Sequence, residues 1–181
     1  PFLFDNCGSA LAAYRERLPK AIELARAIAI AELEIEAQYS EVRHDALFAE
    51  FGADGLDAQD MARFPDYLVC VGAARLQGAE NDTLMEILSA GLPMKVLVQT
   101  DDILEEPGVG GDAHLAFGLR SKQLANMAFG LNEVYVLQAS GSHLYQFRER
   151  ILKGLACAGP ALFSVYSGAG GKAGDLPPYL N

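Results

Sequence analysis

Residues 94–112, MKVLVQTDDILEEPGVGGD, decide the fold prediction. The stretch begins with Val96, Leu97 and Val98, a β-branched apolar run that is typical of a buried strand. Five carboxylates follow it, interrupted by Gly and Pro residues. Open α/β sheets bind ligands where parallel strands end in such loops, and carboxylates there can hold Mg²⁺, which bridges to phosphates. The pattern at residues 101–112 therefore fits either a ligand-binding loop or an ordinary solvated surface loop.

The same order of strand, loop and helix repeats along the chain. Strands are predicted at residues 67–71, 95–99, 134–137 and 161–165. Helices are predicted to begin at Asn81 or Asp82, at Ser121, and at Ser140 or Ser142, with Gly91 ending the first of them and Gly159 the last. Continuous apolar strands that alternate with helices indicate a parallel sheet covered on both faces. The sequence thus predicts a three-layer α/β fold, with residues 1–181 as a single domain because no linker divides them.

A long helical segment is predicted near the N-terminus. Residues 1–8 form a predicted extended lead-in, and Ser9 is a predicted cap for a short helix. Pro19 is expected to end that helix or to begin the next one. The next helix is predicted from Lys20 to about Phe51, with a broad apolar face. A further short helix is predicted at residues 57–63.

Composition and charge exclude several classes of protein. Hydrophobic residues make up 51% and charged residues 21%, which excludes a disordered chain. The net charge of −10 disfavours a nucleic-acid partner held by its phosphates. No apolar run is long enough to span a bilayer, and no signal peptide is recognisable. Because the chain begins at Pro1 without Met, we expect it to be a piece of a longer polypeptide.

The three cysteines are far apart and lack CxxC spacing, so this chain alone is not expected to build a zinc site or an iron–sulfur cluster. Their odd number and lack of a disulfide framework predict a reducing, cytoplasmic location. Cys70 follows the pattern of a buried strand and is expected in the core. His44 and His114 are expected to be solvated, because neither has ligand spacing to another His or Cys.

Two groups of polar residues have both a functional and a purely structural interpretation. The segment Ser140-Gly141-Ser142-His143 lies at a predicted strand-to-helix turn, where free N–H groups could bind an anion and His143 could titrate near neutrality. The same residues could simply cap a helix. Asp101 and Asp102, with Lys122 available, faintly resemble the phospho-acceptor pocket of a signalling module. The strand order and the long N-terminal helix argue against that class of protein, and Lys122 could simply be solvated.

The order of these segments resembles the C-terminal thiamine-diphosphate domain of pyruvate:ferredoxin (flavodoxin) oxidoreductases, a 2-oxoacid:acceptor oxidoreductase family. Leu3-Phe4-Asp5-Asn6 is similar to that family's LFEDNAEFG segment, and LSAGLPMKVLVQT at 88–100 to its next helix end and strand. QLANMAFGLNEVYV at 123–136 resembles the LARMAMTYGYVYV type of segment. The strand that ends at Gly72 falls where the family has its GDG motif. The similarity covers nearly the whole chain.

The resemblance implies the thiamine-diphosphate-binding fold, in which the turns after Val71 and Thr100 lie side by side. It implies a set of cofactor-binding residues, namely Asn6, Gly72, Ala73, Gly108, Gly110 and Gly111. Glu106 stands where the family has a Mg²⁺ ligand, and Asp102, or its neighbours Asp101 or Glu105, could replace the ligand that the Asp of GDG supplies. The chain departs from the family at both motifs. Ala73 stands where GDG has its Asp, and Glu106-Pro107-Gly108-Val109 stands where the family has NTGG.

The resemblance also implies an activity for the parent protein. Pyruvate or a related 2-oxoacid would be oxidatively decarboxylated, and electrons would pass to ferredoxin or flavodoxin. The iron–sulfur clusters would lie on other domains of the parent chain, the assembly would be a homodimer, and this segment alone would be inactive. The departures at the metal motif leave an alternative, a non-catalytic scaffold or interaction domain that keeps the fold but has lost the Mg–diphosphate site.

Overall fold

The computed structural model of the protein describes residues 2–76, 78–100, 119–131, 133–140 and 145–166, without the side chains of residues 58, 62 and 119–123. Five strands in this part of the chain form one sheet, namely β1 (Phe2–Phe4), β2 (Tyr67–Gly72), β3 (Met94–Thr100), β4 (Tyr135–Ser140) and β5 (Ala161–Tyr166). The helices are α1 (Cys7–Ile35), α2 (Glu41–Ala49), α3 (Ala58–Ala62), α4 (Ala79–Ser89), α5 (Leu119–Phe129) and α6 (Arg148–Leu155).

The sheet has the order β1-β2-β3-β5-β4, and every neighbouring pair is parallel. The predicted α/β class and the parallel sheet are therefore confirmed, and each of the four predicted strands is present with bounds shifted by one to three residues. The extended lead-in is a short fifth strand. The rings of Phe2 and Phe4 lie 5.8 Å and 5.9 Å from the ring of Tyr67, which fixes β1 against β2.

The chain divides into two compact units, residues 1–10 with 66–181 and residues 11–65. That residues 1–181 form a single domain remains a prediction. In the first unit, one face of the sheet is apolar and closed to solvent across its three central strands. Its fully buried side chains are those of Tyr67, Val69, Met94, Val96, Val98 and Leu162.

The opposite face of the sheet is covered unevenly. At the β4–β5 end, α6 packs so closely that a Cβ at Gly154 would lie 2.7 Å from Phe163 and 2.6 Å from Tyr135. At the β1–β2 end the face is open, and Leu3 is 71% exposed. Cys70 lies on this open face and is exposed, so the prediction of a core cysteine is wrong. Its neighbours on β2 suggest burial, but the helix layer that would cover it lies over the other end.

In the second unit, α1 runs unbroken through Pro19, so the predicted break there is wrong. A proline inside a helix costs about 3 kcal/mol or more, and packing on both sides of it can offset that cost. On one side the ring of Tyr14 packs at a tilt of 30° against that of Phe64, with centroids 5.3 Å apart, and on the other Ala25 is buried. The predicted helix to Phe51 is two helices, because Ala37 adopts a φ of 54° between α1 and α2.

Several predicted helix starts differ from those observed. The first helix begins at Cys7 rather than after Ser9. Helix α4 begins at Ala79, before Asn81, because Gly78 takes a φ of 53° at its start. Its predicted end is confirmed, since Gly91 has a φ of 66° directly after the helix.

The last helix also differs from its prediction. Helix α6 begins at Arg148, and the predicted cap Ser140 belongs to β4. The other predicted cap, Ser142, lies outside the described residues. The helix ends at Leu155 instead of reaching Gly159. In the part of the chain that the structure describes, no helix combines the length and the apolar character that a membrane span requires.

Candidate functional site at the carboxyl edge of the sheet

The candidate site is the edge where β1, β2 and β3 end. Strands β2 and β3 pair in parallel from Tyr67 opposite Met94 to Gly72 opposite Gln99, and β1 pairs with the other side of β2. Because neighbouring parallel strands end at the same edge of a sheet, the carboxyl ends of these three strands lie side by side. The ends of β2 and β3 are therefore adjacent, as the predicted site requires, whereas the predicted turn after Thr100 lies outside the described residues.

The turn after β1 contains Asn6, whose side-chain amide makes two hydrogen bonds. Its Nδ2 donates to Asp5 Oδ1 at 2.8 Å, and its Oδ1 accepts from the backbone N–H of Ser9 at 2.7 Å. The second bond satisfies a free N–H in the first turn of α1, as a helix-capping residue does. The hydrogen bond from Asn6, with smaller contributions from the backbone and Arg75, lowers the pKa of Asp5.

The turn after β2 contains Gly72 and Ala73. Gly72 has an ordinary φ of −75°, and a Cβ built on it would meet none of the described residues within 4 Å. Ala73 begins a 3₁₀ turn that ends at Arg75, and its methyl group offers no oxygen ligand. Arg75 Nη1 lies 3.7 Å from Asp5 Oδ2, which brings the turns after β1 and β2 together.

Glu80, at the start of α4, reaches the N-terminus of α1. Its Oε1 accepts a hydrogen bond of 2.5 Å from the backbone N–H of Cys7. Burial, followed by the charge and the hydrogen bond of Glu80, raises the pKa of the Cys7 thiol to about 12. The N-terminus of a helix attracts anions, and at α1 a carboxylate of the protein itself already holds one of the N–H groups.

Strand β3 ends at Thr100, which is 3% exposed. Its Oγ1 is buried and has no hydrogen-bond partner among the described residues. A buried hydroxyl without a partner is uncommon in folded proteins. The hydroxyl belongs to the last residue before the predicted acidic loop.

The structure brings three of the predicted site residues, Asn6, Gly72 and Ala73, to one edge. The others lie outside the described residues, namely Asp102, Glu106, Gly108, Gly110 and Gly111, as do His114, His143 and the side chain of Lys122. His44 is remote from this edge in the sequence. It belongs to α2, where its Nδ1 accepts a hydrogen bond of 2.9 Å from the backbone N–H of Ser40.

The sequence analysis missed Arg75 and Glu80 as members of this edge. An acidic residue in the first turn of a helix is ordinary, because it offsets the helix dipole, and Glu80 gives no other local sign of its role. Its hydrogen-bond partner Cys7 is 73 residues away in the chain. Only the pairing of β1 with β2 brings the two together.

The described residues of this edge do not fit a Mg²⁺-bound diphosphate. Mg²⁺ requires carboxylate or other oxygen ligands in near-octahedral geometry, and Ala73 supplies none. Among the residues of the edge that the structure describes, the carboxylate of Asp5 faces Arg75 and that of Glu80 binds the N–H of Cys7. Across the described ranges, no group of three or more His, Cys, Asp or Glu residues is placed to hold a metal ion.

A comparison of the sequence with models of known protein families gives no match. A search among curated proteins likewise finds no relative with significant similarity.

Proposed function

We propose that the chain is the thiamine-diphosphate-domain portion of a 2-oxoacid:ferredoxin oxidoreductase and works within a longer cytoplasmic polypeptide. The resemblance of its ordered segments to that family supports the proposal. The single observation on which it rests is that β2 and β3 are parallel neighbours. Cofactors of open α/β folds bind at the carboxyl ends of such strands, and the turns after Gly72 and Thr100 are the two that the family uses.

The fold we propose is the three-layer thiamine-diphosphate-binding fold, with helices on both faces of the sheet. One layer is supported by the packing of α6 at Gly154 against Tyr135 and Phe163. The other is supported by the complete burial of Val69 and Val96 on the opposite face.

The reaction of the parent protein would be oxidative decarboxylation of pyruvate or a related 2-oxoacid. Thiamine diphosphate, when bound, supplies the stabilisation of the carbanion, and electrons would leave through iron–sulfur clusters elsewhere in the parent chain. We assign no step to the described residues, because they do not fit the Mg²⁺-bound diphosphate. The proposal needs metal ligands from Asp102 and Glu106, with backbone contacts from the glycines of the same loop.

A second candidate is a non-catalytic scaffold or interaction domain of the same parent. It is favoured by Glu80, whose carboxylate binds the N–H of Cys7 at the edge where a diphosphate would lie. Two anionic groups close together repel each other unless a cation separates them. Ala73 stands where the family has a metal-binding Asp, and this loss of a ligand also favours the scaffold candidate.

Calorimetric titration of the intact parent protein with thiamine diphosphate, with and without Mg²⁺, distinguishes the two candidates. The enzyme candidate predicts Mg²⁺-dependent heat and a rise in the melting temperature, because a ligand that binds only the native state stabilises it. The scaffold candidate predicts neither at millimolar ligand. The variant Ala73→Asp provides a reference. Binding by this variant but not by the natural chain would show that loss of one carboxylate has abolished the site.

A further inference from the structure

A cleft of about 220 Å³ opens in the second unit, between α1 and the segment that runs from α3 to Pro65. Its walls are mostly apolar. Ala21 and Ala25 lie one helical turn apart on α1, and their small side chains leave room for the cleft. Phe64 also lines it. Leu24 stands at the cleft and is 54% exposed, an unusually open position for a large apolar side chain.

The cleft also carries a local excess of positive charge. Arg17, Lys20 and Arg63 line it, against the single carboxylate of Asp60. Asp60 forms an ion pair with Arg63 and also accepts from the backbone N–H of Asp57 at 3.3 Å. The charges of Asp60 and Arg63 therefore offset each other, and the excess positive charge of the lining comes from Arg17 and Lys20. The chain as a whole has a net charge of −10. A cationic cleft in an acidic chain is complementary to a negatively charged ligand.

We propose that this cleft binds a small amphipathic monocarboxylate, with an apolar chain or a single ring as its body. The body would lie against Ala21, Ala25 and Phe64, and the carboxylate would lie at the rim near Lys20. The volume of about 220 Å³ is below the roughly 300 Å³ at which pockets for drug-sized ligands begin. This size suits a small ligand, and every lining residue belongs to the second unit.

An NMR titration of the isotopically labelled chain with octanoate tests the site directly. Octanoate has the apolar body and the single charge that the cleft should select, whereas 1-octanol lacks the charge and octyltrimethylammonium reverses it. We expect octanoate to shift amide resonances at residues 17–25 and 60–65, with the other two probes binding more weakly. Equal affinity for octanoate and 1-octanol would overturn the role of the charge and with it the proposal, as would the absence of shifts at these residues.

Two pairs of variants locate the binding. Lys20→Glu reverses a charge at the rim and should weaken octanoate binding about five-fold or more, since an exposed charge pair contributes up to about 1 kcal/mol and reversal makes it repulsive. Arg43→Glu changes the net charge equally on α2, away from the cleft, and should leave the affinity unchanged. Equal weakening in both would indicate non-specific attraction and overturn the proposal.

The second pair fills the cleft. Ala21→Leu places a larger apolar side chain in the space for the ligand body and should abolish saturable binding. Ala27→Leu makes the same change at an exposed position of α1 and should not affect it. Thermal unfolding of both variants verifies that they are folded. Should Ala21→Leu not fold, the Lys20→Glu result decides alone. Unchanged affinity in a folded Ala21→Leu variant would contradict a ligand that occupies this cleft.

Discussion

The carboxylate of Glu80 and the backbone N–H of Cys7 form a hydrogen bond of 2.5 Å across 73 residues of chain. The bond joins the first turn of α4 to the first turn of α1. A carboxylate at a helix N-terminus is stabilised both by the hydrogen bond and by the helix dipole. This contact therefore links the segments that follow β1 and β2. It also places a negative charge at the edge proposed for the cofactor, where a diphosphate would need a cation beside it.

Glu80→Gln is expected to lower the free energy of unfolding by about 1–2 kcal/mol, because a neutral amide oxygen is a weaker acceptor at a helix N-terminus than a carboxylate. Urea denaturation at pH 7 and low salt measures the change. Glu32→Gln, at an exposed position of α1, is the matched control and should change stability by less than about 0.5 kcal/mol. Equal effects of the two substitutions would mean that the contact with Cys7 does not stabilise the protein.

The Cys7 thiol should make the protein lose stability at alkaline pH. Its pKa is raised from 9.0 to about 12 in the folded protein, so the unfolded chain releases the proton first. The stabilisation is therefore fully present below pH 9 and declines as the pH rises towards 12, by at most about 1.4 kcal/mol per pH unit. Urea denaturation between pH 8 and pH 11 should show a shallower decline for Cys7→Ala than for the natural chain.

Cys157→Ala is the control for this pH dependence, because the Cys157 thiol is only partly buried. It should retain the decline of the natural chain. A decline of the same slope in Cys7→Ala would assign the alkaline instability to other groups.

Lys95 is expected to stabilise the region between α6 and β5. It is 4% exposed, and its ammonium donates to the carbonyl oxygens of Cys157 and Gly159, the latter at 2.6 Å. Burial lowers its pKa, because removal of the ammonium from water destabilises its charged form. Lys95→Met keeps the apolar stem but leaves both carbonyls without this donor, and should lower the free energy of unfolding by about 2–3 kcal/mol.

The control for Lys95 is Lys153→Met on the exposed side of α6, which should cost less than about 0.5 kcal/mol. Thermal unfolding of the two variants gives the comparison. A Lys95→Met variant as stable as the natural chain would show that desolvation of the ammonium cancels its hydrogen bonds, as happens at some buried ionic sites.

Gly154 should tolerate no side chain. A Cβ at this position would lie 2.6 Å from a ring carbon of Tyr135 and 2.7 Å from one of Phe163. Gly154→Ala gains about 1 kcal/mol of helix propensity, but overpacking at two such short contacts should cost about 3 kcal/mol, so we expect a net loss of about 2 kcal/mol by urea denaturation. Gly72→Ala, where nothing lies within 4 Å, should be nearly neutral. A neutral Gly154→Ala would mean that α6 can move away from the sheet.

The sheet could be predicted from the sequence where the signal is local. The apolar run of β3, predicted at 95–99, extends over Met94–Thr100, and the turn at Gly91 follows from the freedom of glycine at positive φ. Strand β1 has only three residues, too few for a periodic pattern, and it exists because it pairs with β2. Pro19 predicts a break by its local chemistry, whereas the course of α1 depends on packing.

The candidate site was predictable only in part, because some of its contacts join residues that are distant in the sequence. Gly72 and Ala73 follow a recognisable strand, so their position at the sheet edge could be inferred from the sequence. The partnership of Glu80 with Cys7 depends on strand order rather than on any local pattern. Cys70 shows the converse, because an apolar strand pattern does not reveal which part of a sheet face is left without a helix.

The most direct test of the account is hydrogen exchange in the intact parent protein, measured by mass spectrometry with and without Mg²⁺ and thiamine diphosphate. The account predicts that both ligands together slow exchange in peptides that cover residues 5–10, 72–80 and 106–111, and that thiamine diphosphate without Mg²⁺ does not. Unchanged exchange in all three segments at saturating ligand, or protection confined to other parts of the chain, would contradict a cofactor site at this edge of the sheet.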